Sequence, residues 1–280
     1  MIGAIIGDIT GSKFEFNNCR RKDFGDLLDK DCQLTDDTYM TLAIALALIE
    51  TEDKLGNYSE SNKGDYIKFL KSRVVEYMQL LGKIYPDGKY GMRFLRWIYS
   101  NNPRPYNSFG NGSAMRVSPV AYIGDTLEEV KELSKAVTEV THNHPEGIKG
   151  AESVAVAIYL LRNGMSKEEL KDYINSNYYQ INFTLDEIRD TNRFDETCQV
   201  TVPQAFECFF ESESFEDCIR NAISIGGDSD TIGAIAGSLA EAYYGISEEL
   251  EIEVLTYLDE FQLMILKEFK DLELRFNHKI

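Results

Sequence analysis

Start signals for α-helices recur along the whole chain, and they constrain its fold more than any other feature of the sequence. Capping boxes, in which Ser or Thr is followed three residues later by Glu, stand at Thr126–Glu129, Ser166–Glu169 and Thr184–Glu187. Each precedes a helical pattern of apolar residues, as expected where side chains satisfy the free N–H groups of a first turn. Alternating strand patterns joined by hairpin turns are nearly absent. The sequence therefore predicts an all-α protein.

Apolar residues at helical spacing mark the main helices. Helices are predicted over four stretches, the last of which has room for one or two: 34–50, 65–82, 148–164 and 246–269. Thr35 or Asp36 is expected to cap the first of them, and Gly82 to end the second. We expect about ten helices in one compact domain over residues 1–280.

Four glycine-rich segments are expected to connect these helices and to carry the chemistry: 3–12, 82–91, 108–112 and 226–227. Connecting segments run over the surface of a protein, where binding and catalytic residues concentrate. The sequence contains no low-complexity linker and no fixed-period repeat that would divide the chain.

The charge balance and the cysteines limit the partners and the compartment. The chain carries a formal net charge of −18, which disfavours duplex DNA and anionic membranes, because both reward Lys- and Arg-rich faces. Its five cysteines form no CxxC pair, which favours free thiols in a reducing compartment. There is no basic leader, and the longest apolar run, 42–49, is far shorter than the ~20 residues of a membrane span. We therefore expect a soluble cytoplasmic protein, with a monomer as the default assembly.

Two short acidic segments mirror each other at predicted helix starts. "TDDT" at 35–38 and "DSDT" at 228–231 each place two carboxylates and hydroxyl groups before a run of apolar residues. Taken singly, each fits a helix cap, since Asp and Ser are preferred there and acidic groups complement the helix dipole. Taken together, their oxygen atoms fit a hard cation such as Mg²⁺. Small residues at 233–237 would let the second helix approach a neighbour closely.

Other metals fit these segments less well. A calcium-binding helix–loop–helix site would need acidic ligands where Ile232 and Leu239 stand. Zinc is disfavoured because no Cys or His accompanies the carboxylates. Glu15, in the segment 7–15, adds a third acidic element that fits either a metal site or an exposed loop. Three such elements could surround one or two Mg²⁺ or Mn²⁺ ions.

The stretch "SFGNGSAMRVSPVA" at 108–121 alternates glycine with small residues before an apolar segment. Its backbone N–H groups could bind phosphate groups, whereas the same pattern also fits a tight contact between two helices. Its glycine spacing matches neither the dinucleotide-binding fingerprint nor a Walker loop.

Six segments, taken in order, resemble the ADP-ribosylglycohydrolases, a family that includes dinitrogenase reductase-activating glycohydrolase and the ADP-ribosyl-acceptor hydrolases. The resemblance spans roughly residues 2–245 and is carried by "GAIIGDITGSKFEF", "LTDDTYMTLAIA", "SFGNGSAMRVSPVA", "THNHPEGIKGAE", "TVPQAFECF" and "IGGDSDTIGAIAGSLAEAYYG". No one motif is decisive, but their ordered combination is highly specific.

This resemblance implies an all-α fold with a metal site among helix N-termini, holding two Mg²⁺ or Mn²⁺ ions. It implies cleavage of the N- or O-glycosidic bond of ADP-ribose in a modified protein or a small-molecule conjugate. The metal-binding residues that it implies are Glu15, Thr35, Asp36, Asp37, Asp228, Asp230 and Thr231. Among them Glu15, Asp37 and Asp228 are the candidate catalytic residues.

The resemblance also implies residues that bind the substrate. The diphosphate and ribose loop would consist of Gly110, Asn111, Gly112, Ser113, Ala114 and Met115. His142 resembles a histidine near the distal ribose or the adenine, and His144 is available as an alternative. Phe109 and Tyr106 have rings suited to stacking on adenine, although such aromatic residues also occur in cores.

Two other functions stay open at this point, a catalytically silent crystallin-like protein that binds ADP-ribose and a two-metal phosphoesterase. A silent relative is expected to have lost metal ligands, whereas all six acidic and hydroxyl residues of the two helix starts are present. The acceptor group, such as arginine, serine, an acetyl ester or a nucleobase, is not indicated by these motifs.

Overall fold

Helices account for all the regular secondary structure in residues 1–277, which the computed structural model describes. The α-helices are α1 (Ile2–Ser12), α2 (Asp36–Leu55), α3 (Lys63–Ile84), α4 (Met92–Ile98), α5 (Gly112–Met115), α6 (Leu127–Thr138), α7 (Pro145–Arg162), α8 (Lys167–Asn177), α9 (Leu185–Ile188), α10 (Cys198–Phe210), α11 (Phe215–Ser224), α12 (Ser229–Tyr244), α13 (Glu248–Leu255) and α14 (Glu260–Asn277). A 3₁₀ helix covers Ser118–Tyr122, and the described residues contain only an isolated β-bridge between Gly110 and Thr197. The all-α prediction is confirmed, while residues 278–280 of the predicted domain lie outside the described residues.

The capping residues start helices where the sequence predicts them. All three capping boxes are formed, at the starts of α6, α8 and α9. Thr35 caps α2, since its hydroxyl oxygen accepts a hydrogen bond of 3.3 Å from the backbone N–H of Asp37. The stretch 246–269 forms two helices, α13 and α14. Short helices such as α5 and α9 raise the number in the described residues above the expected ten.

Two expectations about glycine are wrong, for the same physical reason. The segment 3–12 is helix α1 rather than a connection, and Gly82 lies inside α3 instead of ending it. A Cβ at position 82 would lie 2.6 Å from Cδ1 of Ile98, so the glycine permits close packing of α4 on α3. Glycines that remove a side chain from a helix contact look like loop residues when only the sequence is read.

Helix α1 touches helix α12 through the glycines of both. Gly3, Gly7 and Gly11 recur every four residues and therefore share one face of α1. A Cβ at Gly7 would lie 1.9 Å from the backbone oxygen of Gly233, and one at Gly237 would lie 2.1 Å from the backbone oxygen of Gly3. The expected close approach of the second acidic helix is present, and the neighbour is α1.

The hydrophobic core is continuous, and the polar helix ends meet at one side of it. The apolar residues of α2, α7 and α12 are almost all buried. Hydrogen bonds link the C-terminal half of α1 to the start of α2, and the start of α2 to the start of α12. No described helix is long and apolar enough to cross a membrane. The fold thus gathers three helix ends, each rich in carboxylates, around one point.

The substitution Gly7→Ala is expected to destabilise the protein by about 3 kcal/mol, because the new methyl group must push two helix backbones apart. The measurement is the free energy of unfolding in urea. Gly64→Ala is the matched control, since position 64 is an exposed helix residue with no atom within 4 Å of the new Cβ. The control is expected to be neutral or slightly stabilising. Equal stability of the two variants would contradict the packing role of Gly7.

Candidate metal centre and its cleft

Asp8 fixes the start of α2 against α1. Its fully buried carboxylate accepts hydrogen bonds from the hydroxyl and the N–H of Thr35, at 2.6 and 3.1 Å. It accepts two more from the hydroxyl and the N–H of Thr38, at 2.5 and 3.1 Å. Sequence reasoning missed Asp8, and the only available signal was an acidic residue among the glycines and apolar residues of α1.

Five buried carboxylates form two groups that share one member. Oxygen atoms of Asp8, Asp37 and Asp230 lie within 4.8 Å of one another, as do those of Glu15, Asp228 and Asp230. One oxygen of Asp37, Oδ1, is buried without a hydrogen-bond partner. Carboxylates crowded in this way could hold a metal ion, and a donor set made only of oxygen fits hard cations such as Mg²⁺ and Mn²⁺.

The hydroxyl residues and Asp36 take different positions around this cluster. Thr231 donates a hydrogen bond of 3.3 Å from Oγ1 to Oδ2 of Asp37, and it faces the cleft beside the cluster. The hydroxyl of Thr35 is held by Asp8 and does not line the cleft. Asp36 is half-buried in the cleft wall, outside the two groups of three. Of the seven residues predicted from the sequence, four meet in the two groups, Glu15, Asp37, Asp228 and Asp230. Thr231 and Asp36 line the cleft beside them, and Thr35 contacts the cluster through Asp8.

Burial and mutual repulsion disfavour the charged forms of these acids. Burial, followed by the neighbouring carboxylates, raises the pKa of Asp36, Asp37 and Asp230 well above the usual range. Burial raises the pKa of Asp228 to about 6, against the stabilising hydrogen bond of 2.6 Å that Asn111 Nδ2 donates to it. Burial also raises the pKa of Asp8, and its four hydrogen bonds oppose the shift. The cluster is therefore under electrostatic strain that bound cations would relieve.

Lys89 places a positive charge at the edge of the cluster. Its ammonium donates hydrogen bonds of 3.0 Å to Oε2 of Glu15 and to the backbone oxygen of Ser12. The backbone of Lys89 has φ +60°, a conformation that side chains other than glycine seldom adopt. Such strain is common at functional sites, and here it directs a lysine at a candidate metal ligand.

Side chains of the segment that follows α1 hold the turn before Asp228, which precedes α12. Gly226 and Gly227 have φ of +62° and +83°, which glycine adopts without strain. The guanidinium of Arg20 donates to the backbone oxygens of Arg189, Asn192 and Ile225. Asn18 exchanges two hydrogen bonds of 3.0 Å with the backbone of Gly227. The side chain of Asp228 makes no capping bond to α12 and belongs instead to the carboxylate cluster.

The cluster forms one end of a cleft of about 850 Å³. Aromatic side chains stand at its rim, among them Phe16, Phe109 and Phe194, which are 77, 43 and 43% exposed. Arg93 and Arg116 line the same cleft. Buried carboxylates, two arginines and exposed rings in one cleft together suit a ligand with polar, anionic and aromatic parts.

The glycine-rich loop contributes four of its six predicted residues to the cleft, namely Gly110, Asn111, Gly112 and Met115. Ser113 and Ala114 lie behind the loop, where the Ser113 hydroxyl donates a hydrogen bond of 2.9 Å to the backbone oxygen of Gly147. Asn111 joins the loop to the cluster, since its side chain contacts both Asp228 and Thr201.

The two candidate histidines occupy different positions, and only one of them lines the cleft. His142 lines the cleft, with its ring beside Gly110 and Gly112. Burial and the charge of Arg116 lower the pKa of His142 well below its usual value. His144 instead caps α7, because its Nδ1 accepts a hydrogen bond of 3.1 Å from the N–H of Glu146.

The fold and this site define a class of protein, an all-helical one in which buried carboxylates at helix ends meet in a cleft. The chain belongs to the ADP-ribosylglycohydrolase family, whose model matches residues 1–276. The resemblance seen in the sequence is confirmed.

Relatives of known name span most of the chain. The ADP-ribosyl-[dinitrogen reductase] glycohydrolase of Rhodospirillum rubrum is 28% identical, over 88% of this chain and 85% of its own. The ADP-ribosylarginine hydrolase Tri1 of Pseudomonas putida is 26% identical, over 88% and 70%. The solved structure of an ADP-ribosylglycohydrolase-related protein complex superimposes with a TM-score of 0.66, covering 97% of this chain and 94% of its own at 22% identity. That likeness supports the shared fold.

With divalent cations chelated, the free energy of unfolding is expected to increase between pH 7.5 and pH 5.5, by about 1 kcal/mol from Asp228 alone. A carboxyl group with a raised pKa binds its proton more tightly in the folded protein. Stability therefore rises as the pH falls through the folded-state value, which is about 6 for Asp228, towards the usual value of 3.8. Urea unfolding at several pH values measures the slope.

Asp230→Asn removes a carboxyl group whose own pKa is raised well above its usual value, so this variant is expected to show a shallower slope. A free energy of unfolding that stays constant or decreases over the same range would contradict the strain in the cluster.

Proposed function

We propose that this protein hydrolyses ADP-ribose conjugates, cleaving the N- or O-glycosidic bond at the anomeric carbon and releasing ADP-ribose. The observation that carries the proposal is the presence in the cleft of two groups of three buried carboxylates, which share Asp230. Membership of the ADP-ribosylglycohydrolase family supports the same reaction, as do the names of the relatives. The substrate would be an ADP-ribosylated protein or a small-molecule conjugate.

The donor set supports a pair of Mg²⁺ or Mn²⁺ ions. The residues proposed to hold them are Glu15, Thr35, Asp36, Asp37, Asp228, Asp230 and Thr231. Asp8 belongs to one of the two groups of carboxylates and also positions the start of α2. The buried, unpartnered Oδ1 of Asp37 is an open ligand position of the kind that a cation needs. When bound, such ions lower the pKa of water and orient hydroxyl groups of a substrate.

The chain's own carboxylates are proposed to carry the proton transfer. In hydrolysis the oxygen of water bonds to the anomeric carbon, the bond to the acceptor breaks, and the acceptor leaves with a proton. Glu15 is the proposed base that takes the proton of the attacking water, with Asp37 and Asp228 as the other candidates. Positive charge develops on the sugar in the transition state, and the surrounding carboxylates stabilise it.

The remainder of the cleft is proposed to orient the ADP moiety. The glycine-rich loop from Gly110 to Met115 would receive the diphosphate and ribose, with His142 beside it. Phe109 is exposed at the rim and Tyr106 lines the wall, so both rings are available to adenine. Positioning of this kind lowers the entropic part of the barrier at the distant glycosidic bond.

The proposal includes a monomeric enzyme of the cytoplasm. All five cysteines are free thiols, and four of them are buried. Unpaired thiols are typical of proteins in a reducing compartment.

The test is a panel of defined conjugates, linked through arginine, serine, an acetyl ester or a nucleobase, incubated with Mg²⁺ or Mn²⁺. The wild-type protein is expected to release ADP-ribose from at least one, and excess chelator to stop the reaction. Asp228→Asn and Asp36→Asn are each expected to lower the rate at least about a hundredfold, because they remove charge from the proposed centre. The measurement is ADP-ribose released, with circular dichroism to verify the fold.

Asp65→Asn is the matched control, since Asp65 is exposed in the first turn of α3. It is expected to retain full activity. Full activity of Asp228→Asn or of the chelated protein would refute the proposal, release of phosphate would identify a phosphoesterase, and binding without turnover would identify a silent relative.

A further inference from the structure

Arg116 is a buried cation that the reaction proposed above does not use. Its side chain is 1% exposed at the wall of the cleft, and the described residues give it no carboxylate within ion-pair distance. Its Nη2 donates a hydrogen bond of 2.7 Å to the hydroxyl of Thr141. A buried guanidinium is costly, so its position calls for a function.

The hydroxyl of Thr141 connects Arg116 to His142. Its oxygen lies 2.7 Å from Nδ1 of His142, and among the described residues its other acceptor is the backbone oxygen of Thr138, 3.5 Å away. Nη2 of Arg116 itself lies 3.5 Å from the same Nδ1. The three side chains therefore form a short chain of contacts that ends on one nitrogen of the imidazole ring.

The hydrogen atoms that each group carries determine which group donates and which accepts in these hydrogen bonds. A guanidinium only donates, so the Thr141 oxygen accepts from Arg116 and its own hydrogen is left for the shorter contact, to Nδ1. A hydrogen on Nδ1 would instead face the Nη2 donor of Arg116, and it would leave the Thr141 hydroxyl hydrogen only the long 3.5 Å contact to the backbone oxygen of Thr138. Nδ1 is therefore an acceptor, and the hydrogen of a neutral ring must sit on Nε2.

We propose that Arg116 and Thr141 are positioning residues that hold His142 as a neutral imidazole with its hydrogen on Nε2, ready to donate to an oxygen atom of the ligand. Nε2 faces the glycine-rich loop, because Cβ atoms added at Gly110 and Gly112 would lie 3.6 and 3.5 Å from it. The oxygen atoms available there in an ADP-ribose conjugate are those of hydroxyl and phosphate groups, and this identification of the ligand rests on the proposed function.

The surroundings of the ring keep it neutral. The charged groups that act on the ring are Arg116, after α5, and Arg93, on α4. The ring centroid of Tyr106 lies 6.0 Å from that of His142. Burial and the two positive charges both lower the pKa of His142. A neutral ring with a fixed tautomer presents one donor in one direction, which a charged ring would not do.

The test is the ¹⁵N spectrum of the histidine rings at pH 7, recorded on the full chain without metal or ligand. The protein has three histidines, and His142→Gln assigns the resonances of His142. The expected spectrum shows a hydrogen-bearing Nε2 and an unprotonated Nδ1. In Thr141→Val, a substitution of equal shape, the Nδ1 resonance is expected to move downfield as the hydroxyl donor is lost. Thr141→Ser retains the hydroxyl and is expected to leave that resonance in place.

Ligand affinity provides the second measurement. Thr141→Val is expected to weaken the binding of ADP-ribose about fivefold, the effect of one lost hydrogen bond, and Thr141→Ser to leave it unchanged. A hydrogen on Nδ1 in the wild-type protein, or an unchanged Nδ1 resonance in Thr141→Val, would overturn the inference. A wild-type protein that binds no ADP-ribose would instead contradict the proposed function, while the tautomer would still be read from the spectrum.

Discussion

The contact between α1 and α12 is the constraint on which the site depends. At Gly7 and Gly233 the two backbones are so close that neither position has room for a Cβ. The positions of Asp8 and Asp230 follow from this contact. Asp8 directly follows Gly7, and a Cβ at Gly11 would lie 2.4 Å from Cα of Asp230. A larger separation would move the carboxylates apart by the same amount, and the two groups of three would no longer share Asp230.

Bringing five carboxylates together costs free energy, and the structure offsets the cost locally. Asp8 has four donors, Asp228 has Asn111, and Glu15 has Lys89. These donors come from three parts of the chain, namely the start of α2, the glycine-rich loop and the segment between α3 and α4, rather than from one helix. The uncompensated remainder is visible in the raised pKa of Asp37 and Asp230. Groups perturbed in this way concentrate at functional sites.

How far the sequence predicts such a protein depends on the range of the interactions. The capping boxes and Thr35 act within one turn of helix, and they were predicted correctly. Helix α1 was mistaken for a connection because its glycine face carries no apolar pattern, and its meaning depends on α12, more than 200 residues away. Asp8, Lys89 and Arg116 were missed for the same reason. Their partners lie 27, 74 and 25 residues away, and local patterns contain no information about them.

The cleft combines two electrostatic environments in a protein whose net charge is −18. At the cluster, carboxylates repel one another and attract cations, while Arg116 and Arg93 add positive charge to the lining of the same cleft. An ADP-ribose conjugate has the complementary arrangement, with hydroxyl groups and a developing positive charge near the glycosidic bond and a diphosphate farther along. A ligand bound in the reverse direction would place its phosphates against the acidic cluster. For the proposed substrate, charge alone therefore favours one orientation, before any contact with adenine or the acceptor contributes.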